Sequence, residues 1–428
     1  ATPTPIPTIQ VGGLSVPDPR ITNPELFDLK NKEAPIPQFA NALENAGINL
    51  TPEEIAQEIT YVSTKEDGTP LVDKDGNPFV VAVYNLDPSQ LPPQYQDLAG
   101  PIPLMIAERG EDGEWKWNRI ELDEIFKLVG IKYVGALMDE GSDVDIPLVR
   151  RNFNTQIIPF YDVELGVPIN VERDEFAKER EEIRWRLTTE TDYYLVHGPI
   201  SFPTPNFHNL GEEQKVEVIK QRLERIKSYR IPNIVGIQLY GELHESSYTE
   251  DEITFVAKIA REMFLGIKIA YSDTDNHYAR GMWTDYTKRI LNILGDNIDA
   301  VVVEMHLAQW PYQVAQLPSA KDIADTLRQF GKEVWVGEFD ITTAHLQGSR
   351  EERRLKQAQI AYNHIMGILE SQVVTVFNIW GLTDNSTWYD SSWQQQNFKD
   401  SEPLPFDKQN QPKLYYFYIL KAILDYLR

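Results

Sequence analysis

Cysteine is absent from the 428 residues, which excludes a disulfide framework, a thiol nucleophile and thiolate metal ligands. Positive charge is scarce. Lys and Arg number 41 against 65 Asp and Glu, a formal charge of −24 at pH 7, so nucleic acid and anionic membranes are repelled. Neutral polymers are indifferent to that field. No apolar run approaches the ~20 residues needed to span a bilayer, and no G-x-G-x-x-G phosphate loop is present. The seven histidines are scattered. Glu242-Leu243-His244-Glu245 lacks the H-E-x-x-H spacing that sets two ligands on one helix face, so a metalloenzyme built on His244, Glu245, His306 and Glu338 has no motif behind it. Neither metal nor cofactor is expected.

What is present is a large apolar inventory, 42% of residues, with 9 Trp and 20 Tyr. That is enough for a sizeable core and excludes wholesale disorder. At ~150 residues per domain the length suggests about three units, whereas an α/β barrel alone takes roughly 250 residues and leaves room for two.

From about Leu122 onward, short β-branched runs alternate with amphipathic helical patterns. The runs are 132–137, 155–159, 193–196, 234–240, 267–271, 300–303, 333–336 and 373–377. Near-continuous apolar strands of this kind mark a parallel sheet covered on both faces. Val216, Ile219, Leu223 and Ile226 share one helix face, as do Leu355, Ala358, Tyr362, Ile365 and Leu369, while Ile323, Leu327 and Phe330 lead into a capping Gly331. Eight βα units in roughly 300 residues predict a (β/α)8 TIM barrel. The charge-dense stretch 172–186 reads as a solvated helix.

Residues 1–118 lack this rhythm and form an expected N-terminal extension, a small α+β module or lid, leaving 119–428 as the barrel. Asp75-Gly76, between two apolar runs, predicts a hairpin with a primed turn, and Thr51-Pro52-Glu53-Glu54 a capped helix start. The Thr/Pro tract Ala1–Thr8 is stiff and hydrated, which suits a stalk on a secreted protein.

A barrel carries its chemistry where the strands end. Those ends hold Tyr240-Gly241-Glu242, Ser272-Asp273, Glu304-Met305-His306, Glu338-Phe339-Asp340 and Trp380-Gly381-Leu382-Thr383-Asp384. The glutamates Glu242 and Glu338, with a histidine and a tryptophan at one mouth, suit glycoside hydrolysis. Two carboxyls ~5–5.5 Å apart serve a retaining mechanism, and an aromatic floor stacks on a sugar. Glu245 is a rival of Glu242, though its loop position suits a rim carboxylate better, and Tyr271, Trp310 and Tyr312 either line the cleft or pack the barrel loops, which explains them equally well.

At these residues the chain resembles glycoside hydrolase family 10, the xylanase-type retaining β-glycanases. Val336-Gly337-Glu338-Phe339-Asp340-Ile341 resembles the family's T-E-L-D-I, which implies Glu338 as nucleophile and Asp340 in support. Val303-Glu304-Met305-His306-Leu307 resembles L-Q-S-H-L and implies His306 as the nucleophile's hydrogen-bond partner. Trp380-Gly381-Leu382-Thr383-Asp384, then Thr387-Trp388, resembles W-G-x-T-D…S-W, implying that Trp380 and Trp388 shape sugar subsites. Leu404-Pro405-Phe406-Asp407 and Gln411-Pro412-Lys413-Leu414-Tyr415 resemble the closing L-L-F-D…P-K-P-A-Y.

Other strands depart from the family. Its W-D-V-V-N-E falls on Ile237-Gln238-Leu239-Tyr240-Gly241-Glu242, keeping Glu242 as acid/base but placing Gly241 at the asparagine. N-D-Y-N meets Ser272-Asp273-Thr274-Asp275, and of H-T-L-V-W-H only His197 remains. Asp273, Glu304 and His197 join the two tryptophans as expected sugar contacts. The expected activity is retaining hydrolysis of β-1,4 bonds in xylan or a related plant glycan, by a secreted monomer. The alternative is a catalytically impaired carbohydrate-binding protein on the same barrel.

Overall fold

The computed structural model describes residues 5–137, 146–160, 191–200, 203–241, 243, 246–272, 283–385 and 387–428. Glu242, His244, Glu245, Asp273 and the stretch 172–186 lie outside the described residues.

The N-terminal region opens with a small hairpin, β1 (Thr8–Val11) and β2 (Leu14–Pro17), so Thr8 is a strand residue at the end of the Thr/Pro tract. Helices α1 (Pro35–Glu44) and α2 (Pro52–Gln57) follow. The start of α2 is as the sequence indicates: Thr51 Oγ1 accepts from the Glu54 N–H, and Glu54 accepts from the Thr51 N–H. An antiparallel sheet then runs in the order β3 (Ile59–Val62), β4 (Phe79–Leu86), β5 (Gly100–Arg109), β6 (Trp115–Arg119).

The turn before β4 differs from expectation. A primed turn needs positive φ at both central residues, but at Asp75-Gly76 only Gly76 has it, at 86°. Asp73 makes the turn instead, its Oδ1 accepting the N–H groups of Asp75 and Asn77. The preceding run contributes a single bridge, Val72 to Pro78, in place of a full strand.

The remainder is a closed barrel of eight parallel strands, with α3 (Leu122–Leu128) leading in. In order these are β7 (Tyr133–Ala136), β8 (Thr155–Pro159), β9 (Tyr193–Ile200), β10 (Ile234–Tyr240), β11 (Lys268–Ser272), β12 (Ala300–Leu307), β13 (Glu333–Ile341) and β14 (Val374–Ile379), the last pairing back onto β7. The described helices of seven or more residues between and after them are α4 (Ile146–Asn152), α5 (Glu212–Ser228), α6 (Glu250–Met263), α7 (Asp285–Leu294), α8 (Ala320–Gln329), α9 (Arg350–Ser371) and α10 (Leu414–Leu427). All eight sequence runs are strands.

Alternation along these strands makes two apolar layers. The inner one is small: Leu195, Ala270, Ala300, Val302, Trp335 and Val376. One indole dominates it, so its neighbours are small. A Cβ on Gly236 would sit 2.2 Å from the Trp335 ring. The outer layer, between strands and helices, is continuous with the core of the N-terminal region.

Helix α10 joins the two. Its residues from Leu414 to Leu424 are all buried, because α9 of the barrel takes one side and β5 and α1 cover another. Phe417 meets Phe39 at 5.0 Å, and the Tyr418 hydroxyl donates to the Leu98 carbonyl at 2.6 Å. The N-terminal sheet therefore sits on the helical flank of the barrel. Among the described residues no helix is long and apolar enough to cross a membrane.

Candidate active site

Strand β12 alternates without interruption. Val301, Val303, Met305 and Leu307 face the helices, whereas Glu304 and His306 face inward above Ala300 and Val302. Strand β13 does not. Trp335 points inward and Val336 outward, but opposite Val303 and Glu304 of β12 stand Val336 and Glu338, so Gly337 is an extra residue, a β-bulge. After the bulge Glu338 and Asp340 point inward, while Phe339 and Ile341 join the outer layer. Only glycine fits there, since a Cβ on Gly337 would come within 2.3 Å of Val302 Cγ1. The bulge brings Glu338 level with Glu304, and Asp340 level with His306.

The resulting cluster is tightly bonded. His306 lies between two carboxylates, Nδ1 at 2.7 Å from Asp340 Oδ2 and Nε2 at 2.8 Å from Glu338 Oε2. Burial opposes a charge on this imidazole, but Asp340 and then Glu338 outweigh it and hold its pKa well above the usual histidine value. His306 is thus an imidazolium with both N–H groups donating. Asp340 is fully buried and also accepts from the Trp388 indole and the Tyr389 hydroxyl, each at 2.9 Å. Three donors compensate that carboxylate for its lost hydration.

On the other side of Glu338 is His197 of β9, its Nε2 4.0 Å from Oε1 and its ring edge-on to Trp380 at 5.2 Å. Burial pushes the His197 pKa down, more than Glu338 and Gln238 raise it, so this ring is neutral at pH 7. One carboxylate therefore stands between a charged and an uncharged imidazole. Oε2 is anchored by His306, and Oε1 is beyond hydrogen-bond distance of His197.

Of the residues expected from sequence, the structure brings together Glu338, His306, Asp340, Glu304, His197, Trp380 and Trp388. Trp388, expected only as a sugar contact, packs its ring on His306 at 4.8 Å and donates its indole N–H to Asp340. Tyr271 does not line the cleft. It is fully buried in the outer layer, because alternation on β11 sends Ala270 inward and Tyr271 toward the helices. Asp384 is structural, paired with Lys413 at 2.7 Å where both side chains are 1% exposed. Three residues escaped the sequence reading. Tyr389 and Gln309 complete the support of Asp340, with Gln309 Nε2 donating to the Tyr389 hydroxyl at 3.3 Å. Gln238, inward on β10, supports His197 and donates to Ser272 Oγ at 2.8 Å. Only the adjacency of Tyr389 to Trp388 hinted at any of them.

Glu304, His306 and Glu338 each offer an atom within 4.8 Å of the others, a spacing open to a metal. The chemistry does not fit: both nitrogens of His306 already donate to carboxylates, and a ligand histidine must be neutral with a free lone pair.

Residues 237–422, from β10 into α10, match the family model for glycosyl hydrolase family 10. No curated protein matches the chain. Among solved structures, a GH10 xylanase from Thermobacillus composti is 18% identical, with a TM-score of 0.54 over 71% of this chain and 100% of that one. Native xylanase 10B from Thermotoga maritima is also 18% identical, with a TM-score of 0.55 over 72% and 99%. Xylanase 10B from Thermotoga petrophila, solved in complex with xylobiose, is 17% identical, with a TM-score of 0.54 over 73% and 99%. At these identities the structural likeness shows the shared barrel fold.

Proposed function

We propose that this chain, its barrel assigned to glycosyl hydrolase family 10, hydrolyses β-1,4-glycosidic bonds of a xylan-type polysaccharide with retention of configuration. The observation that carries the reading is the placement of Glu338. Its Oε2 is anchored by the His306 imidazolium at 2.8 Å, while Oε1 lies 4.0 Å from His197, whose ring in turn meets Trp380 at 5.2 Å. In the first step Oε1 attacks the anomeric carbon, and the leaving oxygen takes a proton from Glu242, the acid/base implied by the motif Ile237-Gln238-Leu239-Tyr240-Gly241-Glu242. In the second step water, deprotonated by Glu242, releases the sugar and restores both carboxyls. Asp340 acts through His306, holding its proton and its orientation.

The family and the acidic surface fit a neutral carbohydrate substrate, and we extend the reading to a secreted monomer. In assays on xylan and 4-nitrophenyl β-xylobioside, Glu338→Gln is expected to lower kcat by about 10³-fold or more with the fold intact by circular dichroism. Unchanged turnover removes Glu338 from the nucleophile role.

A second reading has its own observation. Gly241 stands where the family motif has asparagine, and a Cβ there would meet nothing within 4 Å, so one sugar contact of that strand is missing. Oligosaccharide binding without hydrolysis at any pH would favour a carbohydrate-binding protein.

A further inference from the structure

The loop after β12 exposes two large aromatic side chains, Trp310 at 38% and Tyr312 at 57%. Scattered exposed aromatics are ordinary; three features set these apart. The first is position, since the loop leaves the same strand end that carries His306. The second is continuity with the site. Trp388 contacts Tyr389 at 4.2 Å, Tyr389 contacts Phe398 at 4.8 Å, and Phe398 contacts Trp310 at 5.4 Å. An unbroken aromatic path thus runs from the partners of Asp340 to the surface.

The third feature is rigidity. Ala308 holds a left-handed backbone at φ 60°, an arrangement that costs a non-glycine residue free energy. Gln309 is tied to Tyr389, and the Trp310 N–H is capped by Gln313 Oε1 at 3.1 Å as the short helix Pro311–Ala315 begins. The His345 ring lies near-parallel to Trp310, 6.0 Å away and 27° from coplanar. The indole is therefore held in place before any ligand arrives, and a held aromatic surface pays little ordering entropy on binding.

We propose that Trp310, with Tyr312 beside it, is a stacking platform for a distal sugar of an oligosaccharide whose reacting end lies at Glu338. The proposal rests on the catalytic reading and deepens it, because it makes the substrate a chain longer than the pocket. A neutral pyranose fits by its chemistry: one face is C–H surface that packs on an indole, and its hydroxyls stay in water.

The test uses Glu338→Gln as the background, titrated calorimetrically with xylobiose and with xylohexaose, and compared with added Trp310→Ala or Trp310→Phe. Trp310→Ala is expected to weaken xylohexaose roughly fivefold to tenfold with less effect on xylobiose, and Trp310→Phe to recover part of the loss. An unchanged xylohexaose affinity overturns the platform, and so does an equal loss for both sugars, which marks a merely structural Trp310. Binding of neither sugar to Glu338→Gln also overturns it. Xylan hydrolysis by the wild-type chain then decides the catalytic reading separately.

Discussion

Asp340 has no exposed surface and receives three donors, from His306, Trp388 and Tyr389. Its consequence is felt one bond away, at His306, whose raised pKa it causes more than any other group. Because that pKa is raised, the imidazolium is present below it and is lost as pH climbs through it. Asp340→Asn removes the principal negative partner, so His306 should lose its proton at lower pH and the basic limb of kcat/KM should move down by roughly 1–3 pH units. A limb that stays in place shows that the charge on His306 is not used. At this scale the sequence was informative about Glu338, His306 and Asp340, whose strand-end positions and motifs mark them. It was silent about Tyr389 and Gln238, because nothing local in a chain says which distant side chain will satisfy a buried carboxylate or imidazole.

Among the elements, β13 matters most. Simple alternation from Trp335 would send Gly337 and Phe339 inward and turn Glu338 and Asp340 toward the helices; the bulge reverses this. Gly337→Ala forces a methyl to within 2.3 Å of Val302. It is expected to cost about 1–3 kcal/mol of stability in chemical denaturation and to lower kcat as Glu338 is displaced. Wild-type kcat in a folded Gly337→Ala protein would show that the bulge does not aim the carboxylate. The eight strands were legible as apolar runs, and helix starts such as Thr51 as capping patterns. The bulge was not, since an extra residue is defined only against the partner strand, and the inward or outward phase of Glu304 was open for the same reason. Tyr271 was open between cleft and core, because a continuous apolar strand carries no alternation to read.

For the molecule as a whole, the last segment locks the assembly. Lys413, just before α10, pairs with Asp384 after β14 and donates to the Glu402 carbonyl at 2.6 Å, in a place closed to water. Burial pushes the Lys413 pKa down to about 8, against the attraction of Asp384, so the ammonium persists at neutral pH. Lys413→Met leaves the Asp384 carboxylate buried without its counter-charge and is expected to destabilise the protein by roughly 3–5 kcal/mol, read from the denaturation midpoint. A loss under 1 kcal/mol would mean that water or another cation takes its place. The family-like closing motif showed that Lys413 counts, though not what it touches.

The sequence by itself determined the barrel, the presence of carboxylates at its strand ends and the exclusion of thiol chemistry, because periodicity, composition and charge are properties of the chain alone. The tertiary structure decided which side chains meet. It placed His306 as a charged bridge and His197 as a neutral neighbour, turned Glu338 inward through a bulge, and buried α10 under the N-terminal sheet. Each of these depends on the low-dielectric surroundings and exact pairing that only the closed fold creates.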